Sequence, residues 1–104
     1  MNKFMNVYIL KCRDNSFYTG VTSELEKRIH QHEIGFFKEC YTFDKRPVQL
    51  VFQKEFDSTN EAFAFEKRVK GWSRAKKEAL ISGNIDELKR LSNHNKYASS
   101  SSAS

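Results

Sequence analysis

The sequence has few cysteines and no long apolar run, and both shortages limit what the protein can be. Cys12 and Cys40 are the only cysteines in 104 residues, and neither has a partner at the spacing of a metal-binding motif. We interpret both as reduced structural thiols, which favours a cytoplasmic location. The apolar run from Phe4 is interrupted at Asn6 and stops at Lys11, so it is too short for an export signal or a membrane span.

The sequence also lacks internal repeats, a zinc-binding module and a recognisable DNA-reading helix. Its length suits a single domain with a modest core, which we place at residues 1–92. The serine-rich segment 93–104 has too few apolar residues to repay the entropy of ordering. We therefore predict a flexible tail there.

The excess of basic residues is the first feature of the sequence that indicates a function. The formal net charge is +5, from 18 Lys and Arg against 13 Asp and Glu. The stretch 67–77 contains six basic residues and no acidic one. Such a run is typical of a surface that contacts a polyanion, although a solvated helix face explains it equally well.

Residue types and turn signals predict a β-hairpin, a helix and a third strand in the first half of the chain. Two runs rich in β-branched and aromatic residues, 5–12 and 17–22, flank a set of turn residues. A capping box at 23–26 starts a helix to about Ile34, and Gly35 can end it in the left-handed conformation. An ordered loop over 36–47 then leads into a strand at 48–56.

Three helices are predicted after the third strand. A second capping box at 58–61 starts a helix that Gly71 breaks or bends. Its apolar stripe consists of Ala62, Phe65 and Val69. Capping signals at Ser73 and at 84–87 start two short helices that end near residues 82 and 91. The resulting prediction is an α+β fold of order ββαβααα, in which helices cover a small three-stranded antiparallel sheet.

Two tyrosines ten residues apart, Tyr8 and Tyr18, lie on the two strands of the predicted hairpin. They share a face only when the numbers of paired residues sum to an even value, which requires a three- or five-residue turn or a bulge. A four-residue turn at 13–16 would place them on opposite faces. Strand tyrosines are also common as packing residues with a hydrogen-bonded hydroxyl, so the register tests whether they cooperate.

Three polar residues border the apolar faces of the first two helices. Arg28 and His32 lie four residues apart on the first helix, and Glu66 lies beside the stripe of the second. An arginine at such a position needs an anion, which a local carboxylate or a bound phosphate can supply. His32 also suits a structural role, and Glu66 also suits an ion pair with Lys70 four residues later.

Together these residues resemble the GIY-YIG nuclease family, in its small single-domain bacterial branch. The two tripeptides of the family's hairpin correspond to Asn6-Val7-Tyr8 and Tyr18-Thr19-Gly20. The helical arginine, the aromatic or imidazole group four residues later and the later glutamate correspond to Arg28, His32 and Glu66. Further matching segments lie at 41–42, 46–48 and 72–81, and the resemblance covers residues 5 to about 82. Two departures are Asn6, in place of a glycine, and Val21, in place of a lysine that some relatives carry.

The resemblance implies a divalent-metal-dependent endonuclease that hydrolyses phosphodiester bonds. A single Mg²⁺ or Mn²⁺ ion would be held by Glu66, weakly until nucleic acid adds phosphate oxygens. Arg28 would offset charge on the phosphorane, and the base that activates water is one of Tyr8, Tyr18 and His32. Imidazole has the more suitable intrinsic pKa, but nearby cations lower the pKa of a tyrosine. We therefore predict Tyr8 as the positioned base with His32 assisting.

The expected substrate is DNA cut with weak sequence preference, including single-stranded or branched DNA, with a protein partner as a source of specificity. The residues predicted to contact nucleic acid are Tyr41, Arg46, Lys67, Lys70, Arg74, Lys76 and Lys77. The main alternative is a catalytically silent nucleic-acid-binding or adaptor domain. A third interpretation is a protein-interaction domain whose basic run meets an acidic partner.

Overall fold

A computed structural model describes residues 4–92 and contains three strands and four helices in the order ββαβααα. The strands are β1 (Met5–Lys11), β2 (Phe17–Thr22) and β3 (Gln49–Phe56). The helices are α1 (Leu25–Glu33), α2 (Thr59–Lys70), α3 (Arg74–Ser82) and α4 (85–92), with a 3₁₀ turn at Phe43–Lys45. The predicted fold class and element order are confirmed. The predicted tail, 93–104, lies outside the described residues.

β1 is the central strand of an antiparallel sheet with the order β2-β1-β3. Its residues Val7, Tyr8, Ile9 and Leu10 are fully buried, which is expected of a central strand with both faces covered. The β1–β2 register pairs Tyr8 with Gly20 and Leu10 with Tyr18. The paired numbers sum to an even value, so the two tyrosines share a face.

A three-residue turn at 13–15 sets this register. The N–H of Cys12 donates to the carbonyl of Ser16 at 2.8 Å, and the carbonyl of Cys12 accepts from the N–H of Asn15 at 2.9 Å. Asn15 has a φ of 70°, a left-handed conformation that asparagine tolerates better than most residues and that three-residue hairpin turns require. The turn length that places both tyrosines on one face is therefore the one observed.

The tyrosine face of the sheet packs against α1. Its buried cluster consists of Tyr8, Leu10, Cys12 and Val48, and partly buried side chains packed on it are Tyr18, Leu25, Ile29 and Leu50. Leu25 and Ile29 lie four residues apart and so form a stripe on one side of this helix. The packing of that stripe sets the rotation of α1 and so determines where its polar side chains point.

The ends of α1 differ in how well the sequence predicts them. The predicted capping box at 23–26 is wrong, because Glu24 occupies the N-cap position without a side-chain hydrogen bond. The hydroxyl of Thr22, at the end of β2, instead accepts the N–H of Glu24 at 3.0 Å. At the other end, Gly35 has a φ of 73°, as the sequence predicts.

The opposite face of the sheet packs against α2. Ala62 and Val69 are fully buried, and the ring of Phe65 lies 6.3 Å from that of Phe52 and 5.3 Å from that of Phe56. The predicted stripe of α2 is thus its buried side. The hydroxyl of Ser58 accepts the N–H of Glu61 at 3.2 Å, so the serine of the predicted cap is confirmed.

A boundary between Lys70 and Gly71 separates the sheet, α1 and α2 from a second compact unit. This unit contains α3 and α4. The side chain of Ser73 accepts the N–H of Lys76 at 3.3 Å, and that of Asn84 accepts the N–H of Glu87 at 3.1 Å, so both predicted caps are confirmed. Searched over residues 4–92, the helices include no candidate for a membrane span.

Candidate functional site

Three rings meet on the α1 face of the sheet. The ring centroids of Tyr8 and Tyr18 are 6.3 Å apart, and that of His32 lies 5.9 Å from the first and 5.2 Å from the second. The hairpin register places the tyrosines side by side. His32 reaches them because it lies seven residues after Leu25, on the buried side of α1.

Gly20 makes room for the ring of Tyr8. It lies directly opposite Tyr8 on β2, and a Cβ atom at this position would stand 2.5 Å from Tyr8 Cζ. Any other residue would have to push the phenol ring away. The glycine of the second tripeptide is therefore explained by the close approach of this side chain.

A chain of hydrogen bonds runs from Tyr8 through His32 into the loop at 36–47. Tyr8 Oη lies 2.9 Å from His32 Nε2, and His32 Nδ1 lies 2.9 Å from Thr42 Oγ1. The Thr42 hydroxyl donates to Cys40 Sγ at 3.5 Å. Because its one hydrogen is used there, Thr42 accepts from Nδ1–H of His32, which leaves Nε2 to accept the hydrogen of Tyr8. The network thus assigns both the tautomer of His32 and the direction of proton donation.

The protonation states follow from burial. Burial raises the pKa of Tyr8 to about 12, although its hydrogen bond to Arg28 acts in the opposite direction. Burial, and then the charge of Arg28, lower the pKa of His32. Burial and the neighbouring Tyr8 raise the pKa of Tyr18. At neutral pH the cluster therefore holds protonated phenols beside a neutral imidazole that can accept a proton.

Arg28 is available to an anion. It opposes the rise in the pKa of Tyr8, and its guanidinium carbon lies 5.4 Å from the ring centroid of Phe37, which is itself 5.3 Å from that of His32. None of the ion pairs within residues 4–92 includes Arg28, so a local carboxylate does not explain it. It lines a cavity of about 210 Å³, whose other lining residues are Thr22, Glu24, Lys27, Gln31 and Phe37.

Glu66 lies on α2, the helix that packs against the opposite face of the sheet. Its charge contributes to the raised pKa of Tyr8, as the smallest of the effects on that group. The carboxylate is 13% exposed and lies 2.5 Å from the ammonium of Lys70, so the ion pair considered from the sequence is present. The geometry thus brings Tyr8, Tyr18 and His32 together, with Arg28 beside Phe37 next to them. Glu66 is linked to Tyr8 by its charge alone.

The residues present fit a weakly held divalent cation. Residues 4–92 contain no group of three or more His, Cys, Asp or Glu side chains that could hold a metal by themselves. Glu66 is a single carboxylate, 13% exposed, that already contacts one cation, the ammonium of Lys70. Such a ligand suits Mg²⁺, which keeps several waters and takes its remaining ligands from substrate phosphate.

Tyr41 borders the ring cluster, whereas Arg46 is used within its own loop. Tyr41 is 50% exposed, and its ring stacks on Tyr18 at 6.4 Å with Lys45 Nζ 4.8 Å from its centroid. The Nε atom of Arg46 donates to the carbonyl of Phe43 at 2.9 Å, and its guanidinium covers the Phe43 ring at 4.7 Å. Arg46 thus stabilises the loop, and its contact with nucleic acid stays a prediction.

The basic run predicted to bind nucleic acid divides between the two compact units. Lys67 and Lys70 are exposed on α2. The remaining three lie in the second unit, where Arg74 pairs with Glu78 at 3.0 Å and Lys76 Nζ lies 4.4 Å from the ring centroid of Trp72. The last of them, Lys77, lies in α3.

Sequence reasoning missed two residues that support His32. Thr42 is 1% exposed and fixes the imidazole, yet it entered the sequence argument only as part of a matching dipeptide. Cys40 was interpreted as structural only. Burial opposes ionisation of its thiol, but hydrogen bonds from Thr42, Tyr18 and Tyr41 outweigh burial and lower the pKa of Cys40.

A larger cavity, about 780 Å³, lies between α1 and β3. Its apolar lining consists of Leu25, Ile29 and Leu50. It shares no residue with the ring cluster, and its polar lining comes from solvent-exposed side chains of α1 together with Gln53.

Comparison with known proteins identifies the same family as the sequence motifs. The family model described as the GIY-YIG catalytic domain matches residues 4–79. The UPF0213 protein SSP2268 of Staphylococcus saprophyticus is 49% identical over 76 residues, which are 73% of this chain and 92% of that protein. A UPF0213 protein of Natronomonas pharaonis is 43% identical over 75 residues, covering 72% of this chain and 87% of the relative.

Two solved structures are also similar. The solution NMR structure of the UPF0213 protein BH0048 from Bacillus halodurans has a TM-score of 0.52 and 40% identity, covering 86% of this chain and 97% of that one. The solution NMR structure of EF2693 from E. faecalis has a TM-score of 0.57 and 32% identity, covering 82% of this chain and 92% of that one.

Proposed function

Because the chain belongs to the GIY-YIG family, we propose that it is an endonuclease that hydrolyses phosphodiester bonds in nucleic acid with the help of one divalent cation. The proposal is supported above all by the hydrogen-bonded Tyr8–His32 pair, which lies beside an arginine that no carboxylate neutralises within residues 4–92. The names of the relatives state no activity, so the proposal rests on the site and on the family.

The Tyr8–His32 pair can activate water without forming a free phenolate. Tyr8 takes a proton from the attacking water while its own proton passes to Nε2 of His32, 2.9 Å away. The water oxygen forms a bond to phosphorus as the bond from phosphorus to the 3′ oxygen breaks. The imidazolium that results keeps Nδ1–H on Thr42 and then returns the extra proton to solvent or to the 3′ oxygen.

Arg28 links substrate binding to this proton transfer. Tyr8 has no exposed surface, and Arg28 is the main influence that opposes the rise in its pKa. A phosphate attracts the guanidinium more strongly than a neutral phenol does, since charge-assisted hydrogen bonds are the stronger kind. We infer that a bound phosphate draws Arg28 away and thereby opens the Tyr8 hydroxyl to water.

Glu66 would hold the divalent cation, which GIY-YIG nucleases generally use. When bound, such an ion polarises the scissile phosphate and favours departure of the 3′ oxygen. We propose Mg²⁺ or Mn²⁺, because both accept carboxylate, water and phosphate oxygens as ligands.

We propose DNA as the substrate, cut with weak sequence preference in single-stranded or branched form. Supporting features are Tyr41, stacked on Tyr18 beside Lys45, and the lysines of α2. Aromatic and basic groups of this kind bind bases and phosphates without reading sequence. Specificity from a protein partner is part of the same proposal. A cytoplasmic location is supported by Cys12 and Cys40, which are both free thiols.

A cleavage panel tests the proposal. Single-stranded, duplex and branched DNA, and RNA, are incubated with and without Mg²⁺ or Mn²⁺. Wild-type protein should nick at least one substrate only with the cation, and Glu66→Gln and Arg28→Ala should each lower the rate by about 100-fold or more. Glu61→Gln, which neutralises an exposed glutamate of the same helix, should keep the wild-type rate.

The main alternative, a silent binding domain, is favoured by the complete burial of Tyr8 and by the ion pair on Glu66. It predicts salt-sensitive binding of nucleic acid with no nicking under any cation. That result, or wild-type turnover by Glu66→Gln, would contradict the nuclease proposal.

A further inference from the structure

The carboxylate assigned to the metal has a protein cation as its partner. The ammonium of Lys70 lies 2.5 Å from Oε2 of Glu66, one helical turn later on α2. A divalent cation that takes Glu66 as a ligand must compete with this ammonium for the same oxygen. Lys70 is therefore a competitor of the metal as well as a basic residue of the surface.

The two partners differ in how firmly they are held. The side chain of Glu66 is 13% exposed, whereas that of Lys70 is 54% exposed. The acid is therefore held largely out of solvent, while the lysine approaches it from solvent on a flexible stem. Ion pairs between residues four apart on a helix surface are weak, so a divalent ion can displace Lys70 without disturbing the fold.

Release of Lys70 has a consequence for nucleic acid. Once freed, the ammonium lies on an exposed part of α2, within reach of the region where a phosphate would bind the cation. A mobile ammonium at such a position suits contact with a backbone phosphate. The Lys70 ammonium can thus pair first with the Glu66 carboxylate and then with a backbone phosphate.

We propose that Lys70 is a tethered counter-ion of Glu66, which a divalent cation displaces and which then binds a backbone phosphate of the nucleic acid. The proposal rests on the proposed function in so far as it takes Glu66 as the cation ligand. It makes metal and nucleic acid bind cooperatively through a lysine, and linkage requires each ligand to raise the affinity for the other by the same factor.

The first test measures Mn²⁺ binding to the full chain by electron paramagnetic resonance, without nucleic acid. Lys70→Met keeps the apolar stem and removes the competitor, so it should bind Mn²⁺ about fivefold more tightly than wild type. Lys67→Met removes the same charge from the same helix but leaves the Glu66 ion pair intact, and it should change the affinity by less than about twofold. Glu66→Gln should lose the binding.

The second test measures coupling. The affinity for a fluorescent single-stranded DNA oligonucleotide is determined with and without Ca²⁺, which also takes oxygen ligands. Ca²⁺ should raise the affinity of wild type about fivefold more than that of Lys70→Met. Lys67→Met should weaken binding equally in both conditions and so keep the wild-type ratio. Lys70→Gln serves as a second variant, and circular dichroism verifies folding.

The outcomes separate this proposal from the nuclease assignment. Equal Mn²⁺ affinity in wild type and Lys70→Met would overturn the proposal about Lys70. So would an equal gain of Mn²⁺ affinity in Lys67→Met and Lys70→Met, because the loss of one positive charge anywhere on the helix would then explain the effect. Retained Mn²⁺ binding in Glu66→Gln would overturn it too. A wild-type chain that cuts nothing, yet shows the expected binding pattern, would remove the nuclease assignment and leave the role of Lys70 in place.

Discussion

At the scale of single residues, His32 makes the stability of the fold depend on pH. Its pKa is lowered in the folded chain by burial and then by Arg28, whereas an unfolded histidine titrates near about 6.5. Below that pH the unfolded chain binds a proton that the folded chain does not. This contribution to stability is therefore present above about 6.5 and is lost as the pH falls towards the folded pKa.

We therefore expect the thermal unfolding temperature of wild type to fall between about pH 7 and pH 5.5, and to fall less steeply for His32→Gln. Circular dichroism at a series of pH values measures this. His30→Gln, at an exposed position of the same helix, should retain the wild-type slope. Parallel slopes for wild type and His32→Gln would contradict the assignment of His32 as the buried titrating group.

Thr42 gives the second prediction at this scale. Thr42→Val keeps the shape of the side chain but leaves Nδ1–H of His32 without an acceptor, at a cost of about 1–3 kcal/mol. Thr42→Ser keeps the hydroxyl and loses one buried methyl, which costs about 0.8 kcal/mol. Urea denaturation compares them, and ¹⁵N spectra of His32 should show a changed tautomer balance only in the valine variant. A serine variant less stable than the valine variant would contradict this account.

Among the elements, the hairpin is the one on which the site depends most. Gly20→Ala places a methyl group against the Tyr8 ring, and overpacking of this kind costs about 1–3 kcal/mol. In a Tyr8→Ala background the same change should cost almost nothing, because the ring is gone. A double-mutant cycle by urea denaturation measures the coupling, and an equal cost in both backgrounds would show that Gly20 serves the backbone and not Tyr8.

The elements also show which parts of the structure the sequence predicts well. Ser58, Ser73 and Asn84 all cap as predicted, because each cap depends on residues within three positions. The cap at Ser23 fails because Thr22 accepts the N–H of Glu24 instead. Local signals therefore predict the elements, while competition at their junctions decides the starting residue.

Local sequence signals do not predict the structure of the loop at 36–47. Its structure depends on Arg46 against Phe43 and on Thr42 against His32, the latter ten residues apart. Neither contact has a periodic pattern that a single sequence displays. The five central positions, by contrast, come from the resemblance to the GIY-YIG family, and the turn at 13–15 gives the register that places Tyr8 and Tyr18 on one face.

Over the whole chain, the net charge of +5 comes from basic residues that differ in how far they are neutralised. Arg90 is held by Glu87 through two contacts, at 2.8 and 2.6 Å. Lys77 takes part in none of the ion pairs within residues 4–92. A polyanion should therefore be bound by residues such as Lys77, while Arg90 contributes little.

This difference leads to a prediction about salt. A plot of the logarithm of the affinity for single-stranded DNA against the logarithm of the salt concentration should be a straight line. Its slope should be about −0.7 for each phosphate contact. Lys77→Ala should make the slope shallower by about 0.7, and Arg90→Ala should leave it unchanged because Glu87 already neutralises that guanidinium. Fluorescence anisotropy at several salt concentrations measures both. A slope near zero for wild type would show that phosphate contacts do not drive binding. Equal effects of the two variants would show that net charge and not particular lysines governs it.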